Sequence, residues 1–495
     1  MSGATLMIQG TGSHVGKSLL ATALCRIFRQ DGLRVAPFKA QNMSNNAFVC
    51  HGGGEIARAQ TLQAWACGVE PVVDMNPVLL KPCTDSGSQV IVMGRPVKTM
   101  DAKEYQRFKA ELIPVVKGSI DRLRGSYDLV LIEGAGSPAE INLREDDLVN
   151  MGAAVLADAP VILVGDIDFG GVFAQLIGTL HLLQPEERAR VRGFVINKFR
   201  GDMDILKPGL DYLERETGIP VLGVLPYFRD IRLPEEDSLY ADRGAPPRGG
   251  EGVNIDVIRH PRIANFTDFD ALQSEPDVSL RYIERPGGGI PDAVLLPGTK
   301  STIPDLRHLK SSGFLEYIDA CRERGAAIVG ICGGFQMMGE WIRDPQRLES
   351  DSEAEEGMGL LPVETEFGGE KHTSQVRALH IETGAEIAGY EIHMGKTIGA
   401  EEPAFRIVER FGKPSDVPDG ASAENGRIWG TYIHGIFDNG PFRRRFLDDL
   451  RTRKNLEPIS RPADIDLDGE IDRLADQVRA GIDMKAVHEI AMGEK

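Results

Sequence analysis

At 495 residues the chain is too long for one ordinary hydrophobic core, and two or three domains are expected. Its composition, 42% apolar and 26% charged, is that of a globular protein; 56 basic against 74 acidic residues leave a net charge of −18, which opposes general attraction to nucleic acid or anionic membrane. No apolar run reaches transmembrane length, "MSGATLMIQG" lacks the charged start and long apolar body of a signal peptide, and six scattered cysteines without a Cys-x-x-Cys pair read as reduced thiols, so a cytoplasmic setting is expected.

Residues 1–235 alternate apolar, strand-like runs with amphipathic stretches. The strands are expected at 5–10, 34–39, 127–134, 159–167, 192–199 and 219–226. A helical stripe of apolar residues at 19, 20, 23, 24, 27 and 28 stops at Asp31 and Gly32. Near-continuous apolar strands separated by helices imply a parallel sheet covered on both faces, hence an α/β, doubly wound unit. Between the first strand and the first helix stands "GTGSHVGKS" (10–18), where backbone N–H groups and a helix start can hold phosphate oxygens. In that reading Thr11, Gly12 and Gly16 shape the loop, Lys17 reaches the terminal phosphates, and the Ser18 hydroxyl ligates Mg²⁺. The spacing departs from the common G-x-x-x-x-G-K-[ST], because Thr11 takes the place of the first glycine and Gly10 lies one residue further out.

Later strand ends add to this crevice. Glu133 in "LVLIEGAGS" (129–137) stands where a carboxylate can hold Mg²⁺, with a solvated strand-end glutamate as the plain alternative. Asp166 in "VGDID" is placed similarly. Asn197 and Lys198 in "INKF" are positioned to border a base, or simply to make a turn. The polar, Gly- and Pro-rich stretch over 236–252 reads as a linker. A second strand–helix series fills 253–441, with strands in "VNIDVIRH", "DAVLLPG", "AAIVGI" and "GRIWGTYIHG"; the acidic stretch over 344–357 reads as a solvated surface loop, and 442–495 as helical.

The second unit carries a thiol, Cys332, in "GICGGFQMMG" (330–339), between an apolar strand and a helix-like stretch. A nucleophile on such a turn is exposed near a helix start and can use the next N–H, that of Gly333, to stabilise an oxyanion. A buried structural cysteine is the bland alternative, and Cys321 is read as one. "LLPGTKS" (295–301) ends an earlier strand in a turn that can supply a second oxyanion donor near Gly298. "GTYIHG" (430–435) ends a later strand at His434, a base and then an acid. His372, His380 and above all His393 compete for that role.

The phosphate loop resembles that of dethiobiotin synthetase and its relatives. The combination of "GICGGFQMMG", "LPG" and "YIHG" resembles the triad-type (class I) glutamine amidotransferases, which implies two doubly wound domains, an ATPase-like one and a glutaminase one. Most of that family place a Glu two residues after the catalytic His; here the position is Ile436, which matches the branch of cobyrinate and cobyric acid synthases. Whether a third residue orients His434 stays open. "FKAQNMSNNA" (38–47), "GGEIARAQ" (53–60), "GAGSPAEINL" (134–143) and "IRHPRIANFTDFDAL" (258–272) resemble the cobyric acid synthases.

That resemblance implies ATP with Mg²⁺, glutamine as ammonia donor, and a corrinoid substrate: amidation of the b, d, e and g carboxylates of adenosylcobyrinic acid a,c-diamide through acyl phosphates. It places Lys39, Gln41, Asn42 and Asn45 on the substrate side of the phosphate site, and makes Glu55 a second metal ligand, against the plain reading of a helix-start glutamate. It implies no nucleic-acid or membrane partner and leaves a homo-oligomer open. The rival readings are a cobyrinic acid a,c-diamide synthase, a partitioning-type ATPase switch, and an enzyme whose glutaminase half is inactive.

Overall fold

The computed structural model describes residues 2–83, 87–144, 147–228, 231, 233–234, 252–368, 371–463 and 466–493. The linker expected over 236–252 therefore lies outside the described residues, apart from Gly252.

The first domain is built on a six-stranded parallel sheet. Its strands are β1 (Ala4–Gly10), β2 (Val35–Phe38), β3 (Leu129–Glu133), β4 (Val161–Asp166), β5 (Val191–Phe199) and β6 (Val221–Pro226), in the order β6-β5-β4-β1-β3-β2. The apolar runs are continuous because both faces are covered. Met7, Val130, Ile132 and Leu163 enter one core, and Leu6, Ile8, Leu131 and Val164 the other. In register, Ile8 lies beside Glu133, Gly10 beside Val164, and Asp166 beside Asn197, so these strand ends open onto one crevice. Helix α1 (Lys17–Gln30) follows β1 and buries Leu20, Leu24, Ile27 and Phe28.

Sequence reading left residues 41–101 without strands. They form a four-stranded sheet (Gln41–Met43, Val78–Pro82, Gly87–Val92, Arg95–Asp101) and a short hairpin (Ala47–Val49 with Glu55–Ala57).

The second domain repeats the architecture with β7 (Val253–Ile258), β8 (Val278–Ile283), β9 (Ala293–Leu296), β10 (Ala327–Ile331), β11 (Ala421–Ala423) and β12 (Ile428–Thr431). The order is β8-β7-β9-β10-β12-β11, parallel except for β11. Helix α2 (Gly333–Met338) leaves β10. A five-stranded antiparallel sheet, absent from the sequence expectation, packs beside it; its edge strand Ile433–His434 pairs Tyr390 with His434. The stretch over 344–357 is mostly exposed turns and bends, as expected of a surface loop, but it is anchored at both ends. Asp344 is fully buried and accepts N–H bonds from Leu348, Glu349 and Ser350, and Ala354–Glu356 pairs as a strand with Trp341–Arg343.

The chain then crosses back. Helix Gly440–Arg453 belongs to the second domain's core, but α3 (Leu467–Gly481) and α4 (Met484–Met492) pack on the first. Ile471, Leu474, Ala475 and Val478 join Leu20, Leu24 and Phe28 in one cluster. Arg26 pairs with Asp468 and Asp472, and Asp31 accepts from Arg479 at 3.0 Å and His488 at 2.8 Å. The Leu474→Ala variant is expected to cost about 2–5 kcal/mol, the usual range for emptying a buried leucine site. Hydrogen exchange should show amides of α3, α4 and α1 losing protection while the second domain keeps its own.

Candidate functional site

The phosphate loop is tied down at both ends and from across the sheet. Gly16 sits at φ 101°, a left-handed conformation, and a Cβ there would stand 2.0 Å from Asn197 Nδ2. Only glycine fits, and Asn197 fills the space by donating to Val15 O at 2.8 Å. Asn197 thus braces the loop itself. Lys198 donates to His14 O at 2.6 Å and to Asp166 Oδ2 at 2.8 Å, a second brace. Thr11 donates to Gln175 at 3.2 Å, and Gly12 O accepts from Lys17 Nζ at 2.7 Å; Lys17 also reaches Gly136 O at 3.1 Å, so its ammonium lies curled over the loop.

Glu133 is the hub beneath. Its Oε1 accepts from Ser18 Oγ at 2.8 Å and from Lys39 Nζ at 2.9 Å, and its Oε2 from Gln63 Nε2 at 2.5 Å. Burial alone would raise its pKa, but Lys39 and these donors outweigh burial and hold it below the ordinary carboxylate value. A hydroxyl and a carboxylate oxygen side by side under a phosphate loop suit Mg²⁺, a hard cation that takes one or two carboxylates and completes its shell with phosphate and water. Among the described residues no group of three or more His, Cys, Asp or Glu is placed to hold a metal on its own.

The residues expected on the substrate side divide. Lys39 is at Glu133, Gln41 accepts from Tyr105 OH at 2.5 Å, and Asn42 donates to Gln60 at 2.9 Å. Asn45 instead faces the other domain, in the cavity that holds Cys332 and His434. Glu55 requires a correction: it is not a free ligand beside Ser18. Its buried carboxylate is bound by Lys81 at 2.6 Å and by Lys371 of the second domain. Burial pushes it up, but the two ammonium groups overcome this and bring it down to about 2.

The thiol lies on a strained bend. Cys332 has φ 52° and ψ −110°, a conformation rare for any residue with a Cβ, and α2 starts at the next residue. Gly333 is required there because a Cβ would come within 2.7 Å of Thr299 Cγ2 and 3.0 Å of Thr299 N. Gly298 is next to both side chains: a Cβ on it would stand 3.4 Å from His434 Cε1 and 3.7 Å from Cys332 Cβ. Cys332 N donates to Thr431 O at 2.8 Å, joining the bend to the strand that leads to His434.

The partner that orients His434 is Asp268, on the short turn Phe266–Phe269. His434 Nδ1 donates to Asp268 Oδ2 at 2.7 Å, and Gly435 N to Asp268 Oδ1 at 2.9 Å. The Tyr390 ring stacks on the imidazole at 5.2 Å. Burial would lower the His434 pKa, but the Asp268 charge and hydrogen bond, with that of Cys332, raise it to about 10. The site therefore favours the charged imidazolium at His434, beside Cys332. Sequence reading missed Asp268; its only signal was the stretch "NFTDFDAL", which carried no assigned role.

The competing histidines have other partners. His393 lines the cavity but stacks on Tyr432 at 3.8 Å and approaches Glu391 at 3.9 Å. His380 packs on Phe405 and Phe442, and Cys321 is fully buried.

The cavity wall comes from both domains. Asn45 and Lys81 reach it from the first; Gly298, Lys300, Cys332, Glu349 and His434 are among the second's contribution. Glu349, from the acidic stretch, accepts from Thr302 N at 2.7 Å, and burial raises its carboxyl to about 7.

Residues 6–240 match the CobQ/CobB/MinD/ParA nucleotide binding domain, and residues 254–442 the CobB/CobQ-like glutamine amidotransferase domain. Over the whole length the chain is similar to curated cobyric acid synthases. That of Dehalococcoides mccartyi strain 195 is 50% identical over 98% of this chain and 97% of the relative. That of Sorangium cellulosum is 50% identical, and that of Streptococcus sanguinis 48%, each over 99% of both chains.

Asp268→Asn is expected to lower glutamine hydrolysis by about a hundred- to ten-thousandfold, as when a buried triad carboxylate is neutralised. Because His434 is raised from 6.5 to about 10 on folding, its pairing contributes stability that is full below pH 6.5 and is lost as pH rises toward about 10. Melting temperatures across that window should fall in the parent chain and stay flatter in Asp268→Asn.

Proposed function

The chain belongs to the cobyric acid synthase family, and on that premise we propose that it amidates corrinoid carboxylates with ATP and glutamine in cobalamin biosynthesis. The finer reading is that the substrate is adenosylcobyrinic acid a,c-diamide and the targets are its b, d, e and g carboxylates. The observation that carries the proposal is the sharing of one wall. A phosphate loop and a Cys–His–Asp site lie in different domains, and residues 38–47 of the first domain run between the two sites, with Lys39 at one end on Glu133 and Asn45 in the thiol cavity.

The chemistry divides accordingly. A carboxylate resists ammonia because oxide is a poor leaving group. In the first domain the loop amides, Lys17 and Ser18 hold the triphosphate, and Lys39 has the position to steer an incoming carboxylate against its charge. A substrate oxygen attacks the terminal phosphorus, ADP departs, and an acyl phosphate results; ammonia then displaces phosphate. Mg²⁺, held by Ser18 and Glu133, would supply charge neutralisation on the phosphate oxygens.

In the second domain the Cys332 thiolate attacks the glutamine carboxamide carbon. The oxygen's developing charge meets the N–H groups near Gly298 and Gly333, and the C–N bond breaks as His434 gives its proton to nitrogen. Water then hydrolyses the thioester, with His434 taking a proton back and glutamate leaving.

Cys332→Ala should abolish amidation with glutamine while leaving amidation with ammonium salts, and Lys17→Ala should abolish both. The measurement is product mass after incubation of the diamide with Mg-ATP and each nitrogen source. Loss of ammonium-supported amidation in a folded Cys332→Ala chain would contradict the division of labour.

A further inference from the structure

Asn45 stands apart from the other polar residues of residues 38–47. Its side-chain oxygen is buried with no hydrogen-bond partner. It lies in the cavity of Cys332 and His434, yet it comes from the domain that activates the carboxylate. A buried amide oxygen without a protein partner is costly, and most such groups in folded proteins have one. Its surroundings show why it stays put. The backbone around it is pinned by other atoms: Asn265 N donates to Asn45 O at 3.4 Å, Phe266 N to Asn46 Oδ1 at 3.1 Å, and Ala47 N to Asn265 Oδ1 at 3.0 Å. The segment that orients the histidine, 265–268, is therefore clamped to residues 45–47, and the Asn45 side chain takes no part in the clamp.

Resting on the function proposed above, we infer that Asn45 Oδ1 is the first acceptor for the ammonia released from glutamine, the point at which nitrogen passes from the glutaminase cavity to the synthetase domain. The ligand chemistry fits the vacant acceptor. The leaving nitrogen carries N–H donors and, once His434 has protonated it, departs as neutral ammonia. The other first-domain residue in the cavity, Lys81, brings only donors and is committed to Glu55. A neutral amide also suits the task better than a carboxylate. A negative charge at this point would favour ammonium, which has no lone pair for attack. This assigns Asn45 to the transfer of nitrogen, away from the corrinoid side where sequence similarity placed it.

The test compares the parent chain with Asn45→Ala and Asn45→Asp, each with glutamine and with ammonium chloride, measuring glutamate and amide formed. The parent is expected to release about one glutamate per amide. Both variants should release at least three, and the ratio of glutamine-supported to ammonium-supported amidation should fall at least fivefold. The Asp variant should lose more at low pH, where ammonium is favoured. A one-to-one ratio retained in both variants would overturn the inference. So would a loss that is equal with either nitrogen source, which would return Asn45 to the carboxylate site or to a structural role. Failure of the functional reading would appear separately, as a parent chain that makes no amide from either source.

Discussion

Glu55 is a carboxylate without solvent contact, held between Lys81 of its own domain and Lys371 of the other. A buried pair of this kind adds little net stability, but removing one partner strands a charge at a cost of about 3–5 kcal/mol. It therefore ties the two domains together at a fixed point: the observed arrangement satisfies all three groups. Around it Lys300 reaches Gln89, Ser301 reaches Cys83 O, and Thr373 reaches Gly53 O. Ala47, Val49 and Leu79 of the first domain pack with Tyr390 and Ile392 of the second. Tyr390 is also the ring that lies on His434, so the interface and the imidazole share a support.

The same device serves both centres. Each domain is a parallel sheet whose strand ends open onto a crevice, and each places its reacting group at a strand-to-helix bend where the backbone takes a positive φ: Gly16 in one, Cys332 in the other. At the loop, strain is avoided with glycine and the space is filled by Asn197. At the thiol, strain is kept, because a cysteine must carry it, and Gly333 yields the room instead. Ammonia is mostly protonated in neutral water, which makes release beside its target advantageous. On the function proposed above, the clamp between residues 45–47 and 265–266 would meet that need by building one centre's wall from the other domain.

Much of this was legible in sequence because the signals were local. The six parallel strands of the first domain and the helix from Lys17 announced themselves as apolar runs and a helical stripe. The phosphate loop, the Cys332 bend and the strand ending at His434 are each short patterns with a stated physical reason. Asp268 was not legible, since it lies 166 residues from His434 on a single turn with no periodicity. The antiparallel strands over 372–393 alternate buried and exposed residues among polar ones, which apolar runs do not reveal. Glu55 and Asn45 share a domain with the phosphate loop, and only the packing of the second domain shows that both belong to the interface. The acidic stretch shows its exposure in composition but not its anchors, because Asp344 and Glu349 are held by backbone N–H groups that sequence cannot display.

The central claim is that nitrogen passes from one centre to the other inside the molecule, and an isotope competition measures it directly. The chain would be supplied with the diamide, Mg-ATP and glutamine carrying heavy nitrogen in its amide, in the presence of excess unlabelled ammonium at a pH where free ammonia is scarce. Product amides that keep the heavy label undiluted, as read by mass spectrometry, are the result this account predicts. Label diluted in proportion to the bulk ammonium pool would contradict it.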